Sequence, residues 1–132
     1  MKPRIDYRKA APDAFRAMLD LEAGVHRGGL EKSLIELVKM RASQINGCGY
    51  CLDMHSKDAR AAGETEQRLY VLPAWREAPF YSARERAALA WTEAVTQVST
   101  NDLPDELYAQ VREGSRSEST RLNSSHRTIS YA

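Results

Sequence analysis

Apolar residues recur along this chain at intervals of three and four and hardly ever alternate, so the pattern predicts helices throughout. Alanine, leucine, glutamate and arginine dominate, and alternating Val/Ile/Thr runs that would signal strands are nearly absent. Pro12 suits the first turn of a helix running to about Arg27, which Gly28 and Gly29 stop. A second helix reads from Glu31 to about Ile45, with Leu30, Leu34, Leu37, Val38, Arg41 and Ile45 near one face. Asn46-Gly47 breaks it, and a third helix runs from about Cys48 to Ala62, closed by Gly63. A short segment from Glu64 to Leu72 ends at Pro73. Ser82-Ala-Arg-Glu85 has the form of a capping box and opens a helix through Val98 that carries Leu89, Trp91 and Val95. Pro104 starts a last helix, with Leu103, Leu107 and Val111 as its apolar stripe. The fold class is all-α, a single-domain helical bundle without internal repeats.

After Glu113 the pattern stops. "GSRSESTRLNSSHRTISYA" has no apolar period and is rich in serine, which by composition alone describes a disordered terminus. Ser119 to His126, "STRLNSSH", also resembles the translation of a common sequencing-adapter string. The expectation is therefore a helical domain over 1–113 and a non-native tail over 114–132, with the C-terminal helix truncated.

Nineteen basic residues stand against eighteen acidic ones, spread evenly for a formal net charge of +1. No segment is basic enough to follow a phosphate backbone, so nucleic acid is not an expected partner. No stretch reaches the about 18 apolar residues of a membrane helix, and no signal peptide opens the chain, so the expected location is the cytoplasm and no membrane partner is expected. In that compartment a close cysteine pair points to redox chemistry or a metal sooner than to a structural disulfide.

Both cysteines of the chain lie in "NGCGYCLDMHSKDARAAG", Asn46 to Gly63. At about 100° per residue, Cys48, Cys51 and His55 fall within one helical stripe about 60° wide. Ala59 and Ala62 extend the stripe with small side chains that allow another helix close approach. Cys48, placed in the first turn, faces unpaired amides and the positive end of the helix dipole, which favour a thiolate. His55, one turn beyond Cys51, is in position to exchange a proton with it. Three readings stand: a core helix whose cysteines are small hydrophobes, a zinc site, or a thiol redox site. Zinc wants four ligands; the stripe supplies three, and Glu36 is the best remaining candidate. Redox chemistry fits the pattern best.

The longer stretch "ELVKMRASQINGCGYCLDMHSKDARAAG", Glu36 to Gly63, resembles the core motif of the alkylhydroperoxidase D-like (AhpD-like) proteins of the carboxymuconolactone decarboxylase superfamily. That motif is a glutamate, eleven residues, Cys-x-x-Cys, three residues and a histidine; it falls here on Glu36, Cys48, Cys51 and His55 without a gap. A less specific likeness extends from about Ala14 to Trp91. The resemblance implies an all-helical fold, antioxidant thiol chemistry and assembly into trimers or hexamers. It implies that Cys48 and Cys51 are the redox pair that reduces a hydroperoxide and closes to a disulfide. Within that pair Cys51 corresponds to the attacking cysteine and Cys48 to the resolving one, whereas the dipole argument alone favours Cys48. Glu36 and His55 correspond to a proton relay that generates the thiolate. The decarboxylase branch lacks the cysteine pair, so lactone decarboxylation is a poor reading of this chain.

Two departures stand out. Between the cysteines, where some members carry a histidine, this chain has Tyr50, and a phenol of ordinary pKa near 10 is no base at neutral pH. The other is the missing C-terminal helix. Trp75 and Trp91 read as core or interface aromatics, and Arg41 as a carboxylate partner or a surface residue. There is no Gly-rich dinucleotide or phosphate loop, so no cofactor is expected, and electrons come from a dithiol or a protein reductant. The alternative from a different class is a non-catalytic helical oligomer whose cysteine pair senses redox state or binds zinc.

Overall fold

The computed structural model describes residues 5–114. Of the expected tail over 114–132, Gly114 is described and is helical, and the remainder, with the adapter-like stretch, lies outside these residues. Among the described residues all regular structure is helical, in agreement with the fold class read from the pattern. The chain divides into two compact units at Lys32 and Ser33.

The first unit holds α1 (Tyr7–Ala10) and α2 (Pro12–His26). The apolar pattern missed α1, a single turn capped by Asp6, whose side chain accepts from the Arg8 amide. Pro12 occupies the first turn of α2, as its fixed φ and missing N–H favour. Tyr7 meets Phe15 edge-on, with ring centroids 5.5 Å apart. No residue of α2 is buried: Met18, Leu21 and Val25, spaced as one helical stripe, remain 69%, 71% and 45% exposed.

The second unit contains α3 (Lys32–Ile45), α4 (Gly49–Ala61), α5 (Glu66–Val71), a 3-10 turn (Leu72–Ala74), α6 (Ala83–Thr96) and α7 (105–114). Its core joins Leu37 and Met40 of α3, Ala59 of α4, Leu69 of α5, then Leu72, Trp75, Ala78, Tyr81 and Leu89. The face of α3 that is buried is rotated from the one the leucines suggested. Glu36, Met40 and Ser43 are buried, while Leu30 lies before the helix and is 46% exposed. Burial follows what the neighbouring helices cover, and Ser43 is tolerated because its hydroxyl donates to the Lys39 carbonyl at 2.7 Å.

The short segment expected to end at Pro73 forms α5, which stops at Val71, but a 3-10 turn carries helical structure through Pro73 to Ala74. Pro73 sits in the first turn of the 3-10 helix, where a missing N–H costs nothing. The irregular stretch that follows is held from its backbone. The Arg86 guanidinium donates to the carbonyls of Trp75 and Arg76 at 3.0 Å, to that of Tyr81 at 3.1 Å, and to that of Ala78. Arg68 joins α5 to α6 through Glu64 at 2.7 Å and Glu85 at 2.5 Å, and its own carbonyl accepts from the Tyr81 hydroxyl. Desolvation opposes its charge, but both carboxylates outweigh that and raise its pKa. Ser82 and Glu85 form the expected capping box on α6, which ends at Thr96. In α7, Leu107 and Val111 are half-buried, Leu103 before it is exposed, and Tyr108 lies against Trp91 with centroids 5.8 Å apart. Among the described residues no helix is long and apolar enough to cross a membrane.

Candidate active site

The site is built where α3 stops and α4 begins. Gly47 adopts φ 61°, a left-handed conformation that costs glycine nothing and lets the chain reverse within three residues. The amides of Asn46 and Cys48 donate to the Ala42 and Ser43 carbonyls at 3.0 and 3.1 Å, satisfying the end of α3. Cys48 then stands in extended conformation as the N-cap of α4, one residue before the first turn in which the spacing had placed it. Its Sγ accepts from the Cys51 amide at 3.3 Å, the position a serine or aspartate oxygen usually takes. Cys48 and Cys51 are joined as a disulfide, their Cα atoms 5.3 Å apart.

One turn beyond Cys51, His55 turns its Nδ1 toward α3 and lies 2.9 Å from Glu36 Oε2. The two side chains are 13% and 5% exposed, so this contact is largely shielded from water. Glu36 sits between Ile35 and Leu37 on the buried face of α3, and His55 is the partner that its carboxylate meets. Thus Cys51 and His55 lie one turn apart on α4, Cys48 caps that helix from an extended conformation and not from its stripe, and Glu36 meets His55 from α3. Tyr50, between the cysteines, is 66% exposed. His26 pairs with Glu22 in the first unit.

Two features escaped the sequence reading. Asp58 stands three residues after His55, and a His55 ring nitrogen and oxygens of Glu36 and Asp58 all lie within 4.8 Å of one another. The i, i+3 spacing was its only signal. The other is Glu93 of α6, which binds Arg41 at 2.7 Å, the Trp75 indole N–H at 2.8 Å and Arg76 at 2.6 Å. Desolvation pushes the Glu93 carboxyl upward, but those three donors prevail and hold it below its ordinary value. Arg41 is therefore a carboxylate partner, and Trp75 is a core residue with a satisfied indole.

The family model described as "Carboxymuconolactone decarboxylase family" matches residues 12–94, a span that contains the entire site. An uncharacterised protein of Bacillus subtilis, YdfG, is 46% identical over 113 residues, covering 86% of this chain and 77% of its own. A crystal structure from Agrobacterium tumefaciens matches with a TM-score of 0.80 and 45% identity, covering 86% of this chain and 77% of that one. It is of a protein of unknown function for which the antioxidant defence protein AhpD has been suggested. The alkyl hydroperoxide reductase AhpD of Bradyrhizobium diazoefficiens shares 44% identity over 41 residues, 31% of this chain and 22% of that protein.

Proposed function

This chain belongs to the carboxymuconolactone decarboxylase family, within which it is AhpD-like, and from that premise we propose that it is a thiol-dependent peroxidase of antioxidant defence. The observation that carries the reading is the Glu36–His55 pair at 2.9 Å, shielded from water and one helical turn from a Cys-x-x-Cys pair.

In the reduced chain, a carboxylate at Glu36 accepts from His55 Nδ1–H, which fixes the tautomer and leaves Nε2 with the lone pair. That nitrogen takes the proton of Cys51, and the thiolate attacks the terminal oxygen of a hydroperoxide. The O–O bond breaks, and the alkoxide leaves as an alcohol with the proton held at His55. Cys51 becomes a sulfenic acid. Cys48 attacks the sulfenic sulfur, water departs, and the disulfide closes. An external dithiol or protein reductant then returns two electrons and two protons. As the disulfide opens, Cys48 leaves as a thiolate that accepts from the Cys51 amide at the start of α4.

A pair that must be re-reduced after every turnover suits the reducing cytoplasm. The exposed Met18, Leu21 and Val25 stripe on α2 supports assembly into a homo-oligomer, for which the family resemblance implies a trimer or hexamer. The test is peroxide consumption by the purified chain with dithiothreitol as electron donor. Turnover that disappears in Cys51→Ser is the expected result; equal rates in the two would exclude the reading.

A further inference from the structure

We propose that Glu36, His55 and Asp58 form a binding site for a divalent first-row transition-metal ion. One imidazole nitrogen and two carboxylate oxygens converge within 4.8 Å. The 2.9 Å between His55 Nδ1 and Glu36 Oε2 is close to the about 3 Å that separates adjacent ligands, each about 2.1 Å from a shared ion. The ligands come from two helices: Glu36 from α3, and the His55-x-x-Asp58 pair from one face of α4. Helical bundles that hold metals use the same economy, an i, i+3 carboxylate–histidine pair facing a carboxylate on a neighbouring helix.

Charge favours a cation here. Two carboxylates face one imidazole, and one of them, Glu36, is only 4% exposed among Leu34, Ile35 and Leu37, where an anion is poorly solvated. A divalent ion offsets both charges, and a protonated His55 offsets one. Nitrogen with two oxygens is a donor set for Zn2+, Mn2+, Fe2+ or Co2+ rather than for a soft ion such as Cu+. The cysteine sulfurs are not part of this set, so the site differs from a zinc site built on the Cys-x-x-Cys pair. Asp58 is exposed and leaves the remaining coordination positions open to water. Binding itself is independent of the peroxidase reading. Its consequence rests on that reading: an ion on Glu36 and His55 removes the pair from proton transfer and silences the thiols.

The experiment is calorimetric titration of the oxidised full chain with Zn2+, so that no thiol competes. One Zn2+ per chain is expected, weakened at least about tenfold in Asp58→Asn, and lost in His55→Gln. Asp58 is exposed, so its substitution leaves the fold intact, which an unchanged melting temperature verifies. Absence of saturable binding to the wild type, or equal affinity in Asp58→Asn, overturns the proposal. Failure of the peroxidase reading registers separately, as absent peroxide turnover in reduced, metal-free protein.

Discussion

Glu36 and His55, nineteen residues apart, meet at 2.9 Å across the turn between α3 and α4. Neither residue has a reason to be buried on its own, since each carries a strongly hydrated group. Together they satisfy each other, and the reversal at Gly47 sets the register that brings them together. The disulfide begins one residue after that glycine, so the turn that joins the helices also joins the polar pair to the sulfurs.

Replacing His55 by glutamine keeps a hydrogen bond to Glu36 but removes the base. Thiol alkylation and peroxide turnover are expected to slow by about ten- to a thousandfold at neutral pH. The deficit is expected to shrink as pH rises past the free thiol value of about 8.5, because solvent then deprotonates cysteine unaided. Rates of iodoacetamide labelling between pH 6.5 and 9.5 decide it. A deficit that stays constant over that range would assign His55 to positioning rather than proton transfer.

The two cysteines differ in environment and are expected to differ in outcome. Cys48→Ser keeps the attacking thiol and should stall after one equivalent of peroxide, as a sulfenic acid or a mixed disulfide with the donor. Cys51→Ser should not react with stoichiometric peroxide at all. Mass spectrometry after one equivalent reads both states. A sulfenic acid accumulating in Cys51→Ser instead would transfer the attacking role to Cys48, where the N-cap position already favours a thiolate.

Local chemistry made much of the fold legible. Pro12, Gly47, Gly63 and the Ser82/Glu85 box act within one turn, so their consequences can be read from neighbours in sequence. The one-turn spacing of Cys51 and His55 on α4 is legible for the same reason, whereas the stripe does not reach Cys48, which caps the helix in extended conformation. Glu36 was legible as a possible fourth zinc ligand and through its place in a longer motif, but its contact with His55 was not, because no i, i+4 rule connects α3 to α4. Glu93 and Arg41 stand 52 residues apart, and their pairing depends on how α6 packs on α3. The irregular 75–81 stretch was opaque because a side chain from α6, Arg86, supplies the hydrogen bonds that a helix or strand would supply internally.

Arg86 is accordingly expected to be hard to replace. Lysine retains the charge but presents one compact ammonium in place of a planar fork, and it cannot reach four carbonyls at once. Each buried carbonyl left without a donor costs about 1–3 kcal/mol, reduced where water can enter. Arg86→Lys should lower unfolding stability by about 2–4 kcal/mol. Urea denaturation measures this directly. A loss under about 0.5 kcal/mol, the size of an ordinary surface substitution, would mean that the 75–81 backbone is held by other contacts.

Glu93 offers a test in which pH separates charge from shape. Its carboxylate receives Arg41, Arg76 and the Trp75 indole, and its side chain is 13% exposed. Glu93→Gln preserves the volume but leaves Arg41, 16% exposed, without its counter-charge. Removing one partner of a buried pair costs about 3–5 kcal/mol; the exposure of Arg76 moves the expectation to the lower end, about 3 kcal/mol at neutral pH. The folded-state pKa of Glu93 is below the ordinary 4.5, so its charge stabilises the fold fully above that value. That contribution is lost as pH falls from the ordinary value through the folded one, where protons bind the unfolded chain first. The glutamine variant has no such loss at this position, and the other carboxylates titrate alike in both proteins. The difference in melting temperature should therefore be largest near pH 7 and narrow progressively below about pH 4.5. A difference that is the same at pH 7 and pH 3 would assign the destabilisation to altered packing around Trp75 instead of to the ionised carboxylate.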